Sequence, residues 1–272
     1  MKLLKKVFDF YLNSSIHVAL AVYALVRVTM YNFGIAYDEA ISYALFFGTI
    51  VEYSFIKYSS LAKHYLFVRD KYLGTIQFFS GICLLIAFYY IVQLRFQTII
   101  VAAILVLLAF LYVVPAVSSK RNFRSLKGVK IYIVGITWSV STVLLPIINN
   151  EIEFTTDIYV ALLQRFVYVI ILMIPFEIRD LTTDEDWLRT LPQVLGIKKV
   201  KILGVLLVGL FLVLGSIVNE VLSYSFIVEV VVAIFSLVAL LLAKKKQSPY
   251  FASFFVEGIS ILWWCLLSYG LG

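Results

Sequence analysis

The chain has 272 residues, of which 62% are hydrophobic and 14% are charged, and its formal net charge is +7. A water-soluble domain of this length lacks the interior to bury so much apolar surface, so the composition excludes a soluble globular protein. It predicts a protein for which the bilayer is the solvent. Membrane spans would use most of the chain, so we expect a single transmembrane domain over residues 1–272.

The N-terminal residues 1–6 are basic, and no small-residue cleavage site follows them, so the first apolar helix is expected to be retained. Lipid offers no partners to backbone amides, and long apolar stretches in it must therefore be helices. The sequence thus predicts an all-α integral membrane protein with nine transmembrane helices. They are expected at about 15–33, 40–58, 75–93, 97–117, 131–148, 158–176, 200–218, 221–243 and 253–271.

Positive charge alternates along the chain. Twenty of the 23 Lys and Arg residues lie before the first span or in alternate connections, and the intervening connections are short and acidic. By the positive-inside rule, this pattern predicts an inner (plasma) membrane protein with a cytoplasmic N-terminus and an external C-terminus. Because the basic residues are spread over five membrane-flanking segments, they form no contiguous nucleic-acid-binding face, and membrane lipid is the expected partner.

A group of acidic residues follows the sixth predicted span. Glu177, Asp180 and Asp184 are spaced i, i+3, i+7, which places them on one face if the helix continues. Three neighbouring carboxylates repel one another unless a cation lies between them, and Mg²⁺ bound to a diphosphate would meet that need. The two histidines and two cysteines are too dispersed for a metal cluster, so any metal must be held by oxygen. The alternative is a solvated loop whose acids offset Arg179 and Arg189.

The same stretch resembles the second aspartate-rich motif of the UbiA superfamily of intramembrane prenyltransferases. The similarity lies in Glu177-Ile-Arg-Asp180-Leu-Thr-Thr-Asp184, followed by Thr190-Leu-Pro192 and Gly196, with Glu177 at the position of the leading aspartate. A basic segment, Pro115-Ala-Val-Ser-Ser-Lys-Arg-Asn-Phe-Arg124, also resembles one in that family.

The family's first aspartate-rich motif is degenerate here. After Gly48, Glu52 replaces the asparagine, and Tyr53, Ile56 and Ser60 stand at the aspartate positions. This region therefore retains one carboxylate, and Lys57 is a candidate for direct contact with phosphate.

The resemblance implies a UbiA-like bundle that transfers a polyprenyl group from a prenyl diphosphate to a lipophilic or aromatic acceptor at the cytoplasmic membrane face. It implies Asp180 and Asp184 as catalytic residues and Mg²⁺ as the cofactor. The implied metal ligands are Glu52, Glu177, Asp180 and Asp184. The implied diphosphate-binding residues are Lys57, Lys120, Arg121, Arg124 and Arg179.

Two alternatives remain open. One is a non-catalytic UbiA-like protein that binds an isoprenoid lipid or serves as a scaffold. The other is a small transporter that uses the intramembrane charges Arg27, Arg165 and Glu229, although the sequence shows no evident inverted repeat. Unpaired charges are costly in lipid, and these three share a predicted depth, so we expect Arg27 or Arg165 within salt-bridge distance of Glu229.

Overall fold

The computed structural model describes residues 2–62, 70–113, 128, 130–184 and 188–270, and its regular structure in these ranges is helical throughout. Two π-helical segments, Val140–Leu144 and Phe251–Val256, continue directly into α-helices. The α-helices are α1 (Lys2–Asn13), α2 (Ile16–Asn32), α3 (Glu39–Ala62), α4 (Lys71–Ile91), α5 (Phe96–Val113), α6 (Lys130–Ser139), α7 (Leu145–Asn149), α8 (Thr156–Asp180), α9 (Leu191–Val218), α10 (Tyr224–Leu242) and α11 (Glu257–Tyr269).

A helix lies at each predicted span, but fewer of these helices qualify as membrane-spanning. Six are long and apolar enough to cross a membrane, and the number reaches seven if α1 and α2 together form one bent span. Helix α5 is apolar but shorter over Phe96–Phe110. The all-helical prediction is therefore confirmed in the described ranges, whereas the count of nine spans is not.

The bend between α1 and α2 was not predicted. The two helices meet at 55°, and the break falls at Ser14 and Ser15, where Ser15 adopts a left-handed conformation with φ of 64°. Helix α1 leaves Leu3 and Leu4 more than three-quarters exposed. It is thus set at an angle to α2, with apolar side chains of its first turn exposed.

The main core lies between α2, α8, α9, α10 and α11. Its largest side chains are Tyr168, Phe211 and Trp263, each no more than 1% exposed. The ring of Trp263 meets Tyr168 edge to face at a centroid distance of 5.1 Å and Phe211 at 5.5 Å. Such edge-to-face pairs are favourable beyond the area that they bury.

The Thr190-Leu-Pro192 stretch begins α9. Pro192 lies in the first turn, where its missing N–H costs no hydrogen bond. The Thr190 N–H donates to Oε1 of Gln193 at 2.8 Å, as in a capping box. This start fixes α9 directly after the acidic turn that follows α8.

Candidate functional site

The acidic residues converge at the C-terminal end of α8. The helix ends at Asp180, and the N–H groups of Thr183 and Asp184 donate to the Asp180 carbonyl at 2.9 and 2.7 Å, so the chain makes one further turn after the helix. The prediction of one helical face required the helix to continue through Asp184, and it does not. The turn nevertheless returns the Asp184 carboxylate to the neighbourhood of Glu177 and Asp180.

An ammonium group lies between these three carboxylates. Nζ of Lys130, the first residue of α6, is 3.6 Å from Oε1 of Glu177 and 3.7 Å from Oδ2 of both Asp180 and Asp184. The side chains are largely buried, with Glu177 at 1% and Asp184 at 10% exposure. We refer to Lys130, Glu177, Asp180 and Asp184 as the Lys130 cluster.

Lys130 is not among the site residues predicted from the sequence. In the sequence it belongs to the basic connection that precedes α6, whose charges were assigned to membrane topology. Its position as the last charged residue before a long apolar stretch is the available signal, but several other lysines in this chain share that position. Only the packing of α6 against α8 identifies it.

Two further predicted cations lie at the same end of the bundle. Nε of Arg179 donates to Oδ1 of Asp180 at 2.8 Å, and its Nη1 donates to Oγ of Ser253 at 3.3 Å. Nζ of Lys57 donates to the Leu12 carbonyl at 3.2 Å. The structure therefore brings Arg179 into contact with the Lys130 cluster, whereas Lys57 is bonded to α1 at the same end of the bundle. Lys120, Arg121 and Arg124 lie outside the described residues, and their role stays a prediction.

A cavity of about 540 Å³ opens between α2, α3, α4, α5 and α6. Its described walls are predominantly apolar, and Glu52 is the carboxylate among them. Nε1 of Trp138 donates to the Tyr53 hydroxyl at 2.9 Å, which joins α6 to α3 at the cavity wall. The volume and lining suit a hydrocarbon chain.

The cavity and the Lys130 cluster are connected by α6. None of the four cluster residues is among the described residues that line the cavity. Val134, Thr137 and Trp138 do line it, and their spacing from Lys130 puts all four on one helical face. Val134 follows Lys130 by about 6 Å along the helix axis, so the charged group and the apolar space are neighbours.

The predicted magnesium ligands do not form one set. Glu52 faces the cavity, whereas Glu177, Asp180 and Asp184 surround Lys130. Over the described ranges, no group of three or more His, Cys, Asp or Glu residues is arranged to hold a metal ion. The position between the three carboxylates belongs to the Lys130 ammonium, so these residues in this arrangement do not fit Mg²⁺.

The expected intramembrane ion pair is not formed. Nη1 of Arg165 instead donates to the Leu25 carbonyl at 2.9 Å and to Oγ1 of Thr142 at 3.0 Å. Oε1 of Glu229 accepts from Nδ2 of Asn219 at 3.0 Å. Arg27 packs between aromatic rings, and within the described chain neither arginine forms an ion pair with Glu229. Equal depth in a membrane does not fix which way side chains face around their helices.

The bundle has the fold of a membrane prenyltransferase. A solved structure of a digeranylgeranylglyceryl phosphate synthase in membranes matches it with a TM-score of 0.58, over 98% of both chains and at 16% sequence identity. No protein-family model matches the sequence, and no curated protein matches it significantly. At this identity the likeness shows the fold alone. Together with the apolar helices, it identifies the chain as an integral membrane protein.

Proposed function

We propose that this protein is a prenyltransferase that moves a polyprenyl group from a prenyl diphosphate to a lipophilic or aromatic acceptor. The observation that carries the proposal is the apolar cavity bounded by α6, whose first residue lies in a buried charged cluster. A prenyl diphosphate needs these two environments side by side, an apolar space for its chain and cations for its head group.

The cations at this end of the bundle have defined roles in the proposal. Lys57, Lys130 and Arg179 would bind the diphosphate and stabilise the charge that develops on it as the allylic carbon–oxygen bond breaks. Asp180 and Asp184 would hold Lys130 in position, and Asp180 would also hold Arg179. Lys120, Arg121 and Arg124 remain predicted phosphate contacts. No step passes through a metal on these residues.

The cavity would hold the allylic cation until it is captured. Capture forms a bond from the acceptor to the allylic carbon, and the acceptor then loses a proton. Water must be kept away from such a cation, and apolar walls do so. The rings of Tyr53 and Trp138 would add favourable cation–π contacts.

The proposal places this end of the bundle at the cytoplasmic face. A reporter fused after Gly272 should then lie on the external side, and one inserted near Asn122 should lie in the cytoplasm. A cytoplasmic C-terminus would contradict the orientation that the charge pattern predicts.

A second candidate is a protein that binds a prenyl lipid without transferring it. It is favoured by the first-motif region, where Glu52 is the one carboxylate, and by the ion pairs of Lys130 with the carboxylates of the second motif. Both candidates require the cavity to bind the prenyl chain. They differ in that only the prenyltransferase forms a labelled product. A transporter is disfavoured because Arg27 and Arg165 are held in aromatic and hydrogen-bonded contacts.

Filling the cavity tests the proposal. Gly48 lines the cavity and has no atom within 4 Å of an added Cβ, so Gly48→Phe would project a ring into it. Gly209 on α9 has equal free space but is exposed on the outside of the bundle, and Gly209→Phe is the matched control.

Purified wild type and both variants are incubated with a radiolabelled prenyl diphosphate and a membrane lipid extract, with and without Mg²⁺. We expect bound label and labelled lipid product with wild type and Gly209→Phe, and loss of both with Gly48→Phe. Label bound without product would favour the non-catalytic candidate. Equal binding by Gly48→Phe and wild type would exclude the cavity as the prenyl site.

A further inference from the structure

The geometry of the Lys130 cluster is that of an ion site whose cation is covalently part of the protein. Nζ of Lys130 lies within 0.1 Å of the same distance from oxygens of three carboxylates, as a central ion would. Glu177 is 1% exposed, and its Oε1 has no hydrogen-bond partner among the described residues; neither has the buried Oδ2 of Asp184. Both atoms face the ammonium and are compensated by its charge.

We infer that Lys130 replaces the divalent cation in this protein, so that the acidic motif binds no metal while Lys130 is present. Three carboxylates packed this closely repel one another, and a positive charge between them relieves that repulsion. A lysine that enters from α6 supplies it permanently, whereas a bound ion would depend on the metal concentration. An incoming Mg²⁺ would have to displace the ammonium against those carboxylates.

The inference explains a conflict within the sequence. The residues that resemble the second aspartate-rich motif are present at the end of α8 and just after it, yet the aspartates of the first motif are missing from α3. With Lys130 between the carboxylates of the second motif, metal ligands on α3 would have no ion to share. Tyr53 can then bond to Trp138 at the cavity wall instead.

Metal binding can be measured directly and without any prenyl substrate, so the inference does not depend on the proposed function. Mn²⁺ serves as the probe because it takes the same oxygen ligands as Mg²⁺ and its free form has a distinct EPR signal. The purified full chain in nanodiscs is titrated with Mn²⁺. Three proteins are compared: wild type, Lys130→Gln, and Lys57→Gln as a control that removes a lysine outside the cluster.

Wild type and Lys57→Gln should leave the free Mn²⁺ signal unchanged. Lys130→Gln should bind one Mn²⁺ per chain at least about tenfold more tightly than wild type, because removing a unit charge a few ångströms away strongly favours a cation there. Excess Mg²⁺ should displace the bound Mn²⁺. Adding Asp184→Asn to Lys130→Gln should abolish the gain, which would place the ion among the carboxylates.

Two results would overturn the inference. One is Mn²⁺ binding by wild type that is lost in Asp184→Asn, and the other is a folded Lys130→Gln that gains no binding. If Lys130→Gln alone does not fold, the double variant Lys130→Gln/Glu177→Gln removes one charge of each sign and leaves two carboxylates, enough for Mg²⁺-type binding. A folded double variant without Mn²⁺ binding would equally refute the inference. If neither variant folds, the wild-type titration still tests it, because Mn²⁺ binding by wild type that Asp184→Asn abolishes would contradict it.

Discussion

The bundle has a tightly packed side and a loosely packed side. On the packed side, between α2, α8, α9 and α11, large aromatic rings are fully buried, and an added Cβ at Gly135 of α6 would come within 2.8 Å of the Phe166 ring of α8. On the cavity side, between α3, α4 and α5, side chains border empty space, and Gly48 has no neighbour within 4 Å. Close packing on one side holds the helices in place, and the other side is free to accept a ligand. Matched substitutions on the two sides test this difference.

The largest difference is expected for phenylalanine truncation. Phe211→Ala removes a side chain that is 1% exposed, and should lower the free energy of unfolding by about 3–5 kcal/mol. Phe110→Ala removes a ring at the cavity wall that is 48% exposed, and should cost less than about 1 kcal/mol. Unfolding in mixed micelles with increasing SDS measures both. Equal losses would mean that the cavity wall is as closely packed as the core.

The next difference is in the effect of a glycine-to-alanine substitution on stability. We expect it to destabilise the protein on the packed side and to stabilise it on the cavity side. Gly135→Ala forces a methyl group against the Phe166 ring and should destabilise the protein by about 1–3 kcal/mol. Gly48→Ala meets no atom and should stabilise α3 by about 0.5–1 kcal/mol through helix propensity. The same unfolding measurement applies, and a stabilising Gly135→Ala would contradict the contact between α6 and α8.

The smallest difference concerns buried hydroxyls. Oγ of Ser260, which is fully buried, lies 3.1 Å from the Tyr168 hydroxyl, so Ser260→Ala should cost about 1 kcal/mol by leaving that hydroxyl without a partner. Ser141 lines the cavity, and its hydrogen bond among the described residues is to the Trp138 carbonyl one turn before it. Ser141→Ala should therefore change stability by less than about 0.5 kcal/mol. A clear loss with Ser141→Ala would show a structural role for the cavity face of this helix.

The sequence predicted the features that lipid itself imposes. Long apolar stretches had to be helices, and the helices lie where the stretches do. The i, i+3, i+7 spacing correctly grouped Glu177, Asp180 and Asp184, because residues so close in sequence cannot separate far whether or not the helix continues. Glu52, the carboxylate that the first-motif region retains, lines the cavity.

Features that depend on helix rotation could not be predicted. Arg165 and Glu229 share a depth, yet they face different partners, because hydropathy says nothing about which side of a helix meets which neighbour. Lys130 is 47 residues from Glu177 in the sequence, and nothing local distinguishes it from the lysines that set topology. Its place between the carboxylates follows only from the packing of α6 on α8.

The two π-helical segments have a consequence for comparing this chain with others. Each contains more residues per turn than an α-helix, and one extra residue rotates everything beyond it by about 100°. Helix α2 reaches both segments, through Oγ1 of Thr29, which donates to the Thr142 carbonyl at 2.7 Å, and Nε2 of His17, which donates to the Phe254 carbonyl at 2.9 Å. An alignment of this sequence to a bundle with uninterrupted helices therefore needs a gap inside each segment. Without those gaps, Leu145 and Trp263 would be paired with residues from the wrong face of the corresponding helix.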